Sequence, residues 1–347
     1  MSELLTRSID ALAAGDDLSQ EDAAAVLAEI MSGRASEVQI AAFLIALRIK
    51  GETVAELAGL AETMRRFAAH VPARHGDLLD TAGTGGGRRT FNVSTTAAIV
   101  AAGAGCTVAK HGNRSATGLS GSADLLEALG ARIDLDPRSV ARCIDEIGFG
   151  FMFAPAHHPA TRYVVPVRRA LKVRTTFNFL GPLTNPAGAT RQLLGASDPA
   201  HLPKLAGALA RLGTRHALVV CGEDGIDELS ISAATHVVEV RGAALTEYSI
   251  TPEECSLPRH PVEGIPGGDP HENAAIARAV LAGEPGVARD LTVLNAGAAI
   301  YAGGGAGSLQ AGVAAAQDAI DSGAAGAKLE RFIERTHALG EPANVTS

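Results

Sequence analysis

Gly83, Thr84, Gly85, Gly86 and Gly87, followed by Thr90 and by Asn92, Val93, Ser94 and Thr95, carry what a phosphate cradle needs. Glycines let backbone N–H groups approach anionic oxygens. The Ser94/Thr95 pair opens an apolar segment, 96–104, whose predicted helix N-terminus favours an anion. Lys110, at the head of Lys110-His111-Gly112-Asn113, adds a full positive charge. Two better-known phosphate motifs do not fit. There is no G-x-x-x-x-G-K-[ST], and G-x-G-x-x-G fails because Arg88 stands at its last glycine. The pattern argues against a nucleotide-hydrolysing P-loop and against an NAD site.

Three further groups could do chemistry. Asp227 and Glu228 lie in Gly222-Glu223-Asp224-Gly225-Ile226-Asp227-Glu228-Leu229-Ser230, just past a predicted strand. Adjacent carboxylates in a loop are commonly solvated charge, yet Mg²⁺ takes one or two carboxylates and completes its shell with phosphate oxygens and water. Arg168 stands among Arg162, Arg169, Lys172 and Arg174. Such arginines commonly cover a surface, but a guanidinium fork also recognises a planar carboxylate with two hydrogen bonds. His111 and His158 stand in loops, where a structural role is the commoner one.

The elements that position these groups fall into two styles. Residues 1–70 read as wholly helical, because Ser19-x-x-Asp22, Ser36-x-x-Gln39 and Thr53-x-x-Glu56 recur as start signals, the last two as capping boxes. Gly33 and Gly51 punctuate them, and Ile40, Phe43, Leu44 and Leu47 share one helical face. From about residue 76 short apolar runs alternate with loops and helices, the α/β signature. Segments 78–82, 106–109 and 217–221 are predicted strands, and 236–240 with 245–250 a hairpin across Arg241-Gly242. Asp198-Pro199 and Thr251-Pro252-Glu253-Glu254 announce helices, and the glycine cluster at 303–307 separates two alanine-rich ones.

With 347 residues, 46% of them hydrophobic, the chain can bury a large core and is expected to form two domains, 1–70 and 71–347. A net charge of −8 argues against a general nucleic-acid or membrane-surface binder, so a phosphate site must be a local basic pocket. The four cysteines form no C-x-x-C, which points away from zinc and disulfides and towards a reducing cytoplasm. The N-terminus lacks the layout of a signal peptide, and the alanine-rich runs are too short to span a bilayer.

At 83–95 together with 110–124 the sequence resembles the anthranilate phosphoribosyltransferases, tryptophan-pathway enzymes that attach phosphoribose to the amine of anthranilate. Val167-Arg168-Arg169, the run Arg174-Thr175-Thr176-Phe177-Asn178-Phe179-Leu180-Gly181-Pro182-Leu183-Thr184-Asn185-Pro186, residues 222–230 and Gly267-Gly268-Asp269 extend the likeness. The resemblance implies an α/β fold: a small N-terminal helical domain plus a larger α/β domain with a central, mostly parallel sheet, as in nucleoside phosphorylases and phosphoribosyltransferases. The segment near 165–185 returns to the helical domain, substrate binds in the interdomain cleft, and the enzyme is a homodimer through its helical part.

For the site, the resemblance implies that Gly83, Thr84, Gly85, Gly86, Gly87, Asn92, Val93, Ser94 and Thr95, with Thr90 nearby, hold the diphosphate of 5-phosphoribosyl 1-diphosphate (PRPP). Lys110, His111, Gly112, Asn113, Thr117, Gly118 and Ser122 hold its ribose phosphate region. Gly83, Asn113 and Arg168 meet anthranilate, with His111 and His158 close by, and Mg²⁺ lies at Asp227, Glu228 and the Ser94 hydroxyl. Two departures stand out. The family loop reads G-T-G-G-D and then glycine, whereas here Gly86 is followed by Gly87-Arg88-Arg89; and Thr117-Gly118 replaces two serines. A same-fold transferase with another aromatic acceptor, and a ligand-binding paralogue of weak activity, remain the alternatives. Pyrimidine nucleoside phosphorylases share the architecture but match less well at 110–113 and 178–186.

Overall fold

The computed structural model describes residues 2–115 and 118–340. Four helices come first: α1 (Glu3–Ala14), α2 (Gln20–Met31), α3 (Glu37–Lys50) and α4 (Val54–Arg66). Ser19, Ser36 and Thr53 are the N-caps of α2, α3 and α4 as read from the sequence, and Ser36/Gln39 and Thr53/Glu56 form reciprocal capping boxes. The Glu56 carboxylate is fully buried. It accepts from Leu18 N–H at 2.9 Å, from Thr53 N–H at 2.8 Å and from Lys50 Nζ at 3.0 Å, tying α4 to the loop before α2.

The remainder alternates: β1 (Leu79–Gly83), α5 (Val93–Gly103), β2 (Val108–Gly112), α6 (Ser122–Ala128), α7 (Pro137–Ile147), β3 (Phe149–Phe153), α8 (Ala154–His157), α9 (Val165–Leu171), α10 (Phe177–Leu183), β4 (Arg191–Gly195), α11 (Leu202–Arg211), β5 (His216–Gly222), β6 (Thr235–Arg241), β7 (Ala244–Ile250), α12 (Pro270–Leu281), α13 (Val287–Gly303), α14 (Leu309–Asp321) and α15 (Ala324–Gly340). The strands form one sheet in the order β3-β2-β1-β4-β5-β6-β7; β1 to β5 are parallel, and β6 and β7 extend it antiparallel.

Both faces of the sheet are covered, and β5 shows how. Leu218 and Val220 join the core under α5, α13 and α14, whereas Ala217, Val219 and Cys221 join the core formed with α11 and the N-terminal helices. A strand buried on both faces reads as an unbroken apolar run, so alternation was not available to predict it. Val164, Val167, Phe177, Leu180 and Leu183 pack in the core that holds Leu27, Phe43 and Leu57.

Several elements differ from expectation. Strands β3 and β4 were not foreseen: the first is interrupted by Gly150 and the second opens with Arg191-Gln192, so neither shows a clean apolar run. Helix α5 starts at Val93 with Asn92 as its N-cap, ahead of the anticipated 96. No helix follows Thr251; a single 3₁₀ turn, Glu253–Cys255, ends where Ser256 adopts φ 60°, a left-handed conformation that no helix continues through.

Candidate active site

Strand order places the site. From β1 the chain builds outward through β2 and β3 on one side, and β4 and β5 lie on the other, so the carboxyl ends of β1 and β4 flank a topological switch point. Ligands of open α/β sheets bind in that crevice. Gly83 and Gly195 are register partners at its floor.

The loop after β5 lies directly across them. A Cβ on Gly195 would sit 1.6 Å from the Asp227 carbonyl oxygen, one on Gly83 2.8 Å from Asp227 Oδ2, and one on Gly87 2.8 Å from Asp227 Oδ1. Three missing side chains thus form the bed on which Asp227 rests. Gly85 N–H donates to Asp227 Oδ2 at 3.1 Å, Thr84 N–H to the Gly195 carbonyl at 2.9 Å and Arg88 N–H to the Gly225 carbonyl at 2.8 Å. Arg174 Nη2 donates to the carbonyls of Thr84 (3.3 Å) and Gly85 (2.8 Å), and Gly85 and Gly86 take left-handed φ values of 65° and 86°.

Charge is concentrated here. Burial pushes the Glu228 carboxyl up to about 8; the neighbouring Asp227 adds to the rise, while Lys110 and the Ser94 N–H oppose it. Burial also raises Asp227, against the N–H groups of Asp227 itself and Gly85 and the Arg174 charge. Lys110 does not project into the crevice. Its ammonium is buried below, donating to Thr81 O at 2.5 Å and Thr81 Oγ1 at 3.1 Å; burial lowers its pKa, and Asp80 and Glu228 counter that. Asp80 in turn accepts from His111 N–H at 3.0 Å and Asn185 Nδ2 at 2.8 Å. Two buried carboxyl groups whose ionised forms burial disfavours are a donor set that a hard cation relieves. Ser94 stands beside them, its N–H directed to Glu228.

The other half of the crevice is aromatic and basic. His111 Nδ1 lies 3.2 Å from the Gly181 carbonyl, and the His111 and His158 rings are 5.0 Å apart. Both Nε2 atoms are buried without a hydrogen-bond partner among the described residues. Burial, reinforced by neighbouring histidines, holds His111 well below its ordinary pKa and His158 at about 4, so both rings are neutral near pH 7. The Arg168 guanidinium stands 5.4 Å over the Phe177 ring with no carboxylate or carbonyl partner among the described residues.

Several other anticipated residues bond within the framework. Asn92 donates to Ser120 O at 3.1 Å and accepts from Ser120 Oγ and Asn273 Nδ2, each at 2.9 Å, so its amide knits α5, α12 and the loop after β2. Val93 turns its side chain into the core and its N–H to Phe91 O; Thr95 is fully buried, its hydroxyl without a partner among the described residues. Thr90 Oγ1 donates to Phe91 O at 2.9 Å. Gly112 has no room for a Cβ, which would lie 2.1 Å from Ser122 Oγ; that hydroxyl donates to Asn113 O at 3.2 Å. Asn113 is exposed, and Gly118 N–H donates to Ser115 Oγ at 2.7 Å. Thr117 lies outside the described residues. The crevice therefore gathers Gly83, Gly85, Gly87, Ser94, Asp227 and Glu228, with Lys110 beneath. Gly195, Arg174, Asp80 and Asn185 were missed. Arg174 and Asn185 lie in the long motif at 174–186 and could have been marked there, whereas Gly195 ends a strand that the sequence pattern does not reveal.

Two family models match the chain: a glycosyl transferase family helical bundle domain over residues 6–68 and a glycosyl transferase family a/b domain over residues 75–326. The anthranilate phosphoribosyltransferase of Rubrobacter xylanophilus is 53% identical over 338 residues, 97% of this chain and 98% of that protein. That of Symbiobacterium thermophilum is 53% identical over 94% of this chain and 96% of its own. Among solved structures, the anthranilate phosphoribosyltransferase of Thermus thermophilus superposes with a TM-score of 0.91 at 46% identity, covering 95% of this chain and 99% of that one. That of Saccharomyces cerevisiae in complex with PRPP and Mg superposes with a TM-score of 0.88 at 29% identity, covering 97% and 99%.

Proposed function

The chain belongs to the anthranilate phosphoribosyltransferases, and from this we infer that it transfers phosphoribose from PRPP to the amine of anthranilate, giving N-(5-phosphoribosyl)anthranilate and diphosphate, a step of tryptophan biosynthesis. The observation that carries this is the Asp227-Glu228 pair bedded on Gly83, Gly87 and Gly195 at the switch point. Mg²⁺ is the cofactor; we assign it to Asp227, Glu228 and the Ser94 hydroxyl, where it would neutralise charge on the diphosphate.

The chain's own residues do the rest by positioning. Thr84 N–H and Gly85 N–H are taken by Gly195 O and Asp227 Oδ2, so among the described residues those of Gly86 and Gly87 are left for the diphosphate, and Arg174 holds that loop by its carbonyls. Lys110 serves as the buried counter-charge that keeps Asp80 and Glu228 in place. Arg168, with no carboxylate partner among the described residues, takes that of anthranilate as a two-pronged pair, with His111, His158 and Asn113 around the ring. The C1–O bond to diphosphate breaks as the C1–N bond forms, through an oxocarbenium-like state. An aromatic amine is already neutral at pH 7, so its surplus proton leaves after bond formation and no residue serves as an essential base.

We also propose a homodimer formed through the helical part, divided from the α/β part near residue 70. Val38 and Ile49, 78% and 80% exposed on α3 and nearly a whole number of turns apart, support that surface. The four buried free cysteines support a cytoplasmic setting. Mixing the purified protein with PRPP, Mg²⁺ and anthranilate tests the activity. Loss of anthranilate fluorescence with diphosphate release, dependent on all three, is expected; PRPP binding without turnover would instead indicate another acceptor or a binding paralogue.

A further inference from the structure

Gly87 stands where the resembling loops continue into an aspartate, and the structure leaves no space for one. A Cβ there would meet Asp227 Oδ1 at 2.8 Å, Asp227 N at 2.9 Å and Gly225 O at 3.0 Å. The next residues, Arg88 and Arg89, are exposed, and among the described residues neither side chain has a hydrogen bond, ion pair or ring contact. Several other arginines of this acidic chain are matched, such as Arg114 with Asp124 and Glu127, Arg259 with Glu253, Arg278 with Glu330 and Arg289 with Asp321.

The backbone that carries Arg88 and Arg89 is pinned at both ends. Arg88 N–H holds Gly225 O at 2.8 Å, two residues before Asp227, and Phe91 N–H holds Pro266 O at 2.8 Å. Gly267 lies flush beneath Thr90, where a Cβ would come within 2.7 Å of the Thr90 carbonyl carbon. Two unmatched arginines are therefore rooted by their backbone on the rim of a crevice whose buried ionisable groups are Asp80, Asp227 and Glu228 against Lys110, with Arg174 engaged by carbonyls. A diphosphate oxyanion is the ligand that such a rim lacks.

We propose that Arg88 and Arg89 bind the diphosphate end of PRPP, supplying charge that lowers the dependence of donor binding on Mg²⁺. This rests on the transferase reading above. The test is calorimetric titration of the purified full chain with inorganic diphosphate and with PRPP, at zero and saturating Mg²⁺. Wild type is compared with R88A/R89A and R88K/R89K. Both positions are exposed, so folding is expected to survive, which an unchanged melting temperature confirms. R88A/R89A should weaken diphosphate and PRPP binding about tenfold or more without Mg²⁺, by less with it, and leave anthranilate binding unchanged, while R88K/R89K restores most of the loss. Wild-type and R88A/R89A affinities equal at both Mg²⁺ levels would overturn this assignment while leaving the transferase reading intact. Failure of the wild type itself to bind PRPP would overturn both.

Discussion

Gly195→Ala tests whether the bed of absent side chains positions the Asp227-Glu228 pair to which we assign Mg²⁺. The new Cβ would fall 1.6 Å from the Asp227 carbonyl oxygen and 2.6 Å from its carbon, both backbone atoms. A carbon–oxygen contact needs about 3.3 Å, so the Asp227 backbone must withdraw by roughly 1.7 Å or β4 must yield. Overpacking of this kind costs about 1–3 kcal/mol of stability. The larger effect falls on function, because misplacing a site group by 1 Å can cost about 10²-fold. The expected result is kcat/KM for PRPP down by about 10²-fold or more, with a higher Mg²⁺ requirement, in a protein whose melting temperature shows that it is folded. Gly307→Ala, with open space around its Cβ, is the control and should change neither. Near wild-type kcat/KM and Mg²⁺ response in Gly195→Ala would refute the idea that Gly195 sets the position of Asp227.

Arg168→Ala should raise the KM for anthranilate about 10²-fold, the worth of a charge-assisted two-pronged contact, and barely alter that for PRPP; steady-state kinetics showing comparable rises for both would refute the assignment. Acid should destabilise the fold through its neutral histidines. His158 titrates at about 4 when folded against 6.5 when free, so between these values the unfolded chain binds more protons and stability falls as pH falls. At pH 5 His158 alone accounts for about 2 kcal/mol, His111 acting in the same direction, and urea unfolding at pH 7 and 5 should show it. His158→Gln should shrink the pH dependence; an undiminished drop in that variant would exclude His158 as the source. Glu56→Ala should cost about 3 kcal/mol in denaturant unfolding, since it strips partners from Lys50 Nζ and from two backbone N–H groups, and a loss below about 1 kcal/mol would contradict that role.

Much of the molecule was legible as residues in order. Caps at Ser19, Ser36 and Thr53 marked helix starts because capping is settled within four residues. The glycine loop, the Asp227-Glu228 pair and Arg168 stood out in the sequence for a related reason, since phosphate, Mg²⁺ and carboxylate, the ligands we propose for them, each demand particular groups. Tertiary structure decided what those groups touch. Lys110 reads as a phosphate ligand, yet the neighbouring strand's Thr81 and the charges of Asp80 and Glu228 keep its ammonium buried. Asn92 reads as a ligand too, yet Ser120 and Asn273 claim its amide. Gly195 gave no local signal, because its importance arises only when β4 pairs with β1, more than a hundred residues earlier in the chain, and the loop after β5 folds over both. Local sequence thus determined which chemistries this protein carries, while the pairing of distant strands decided which atoms remain free to perform them.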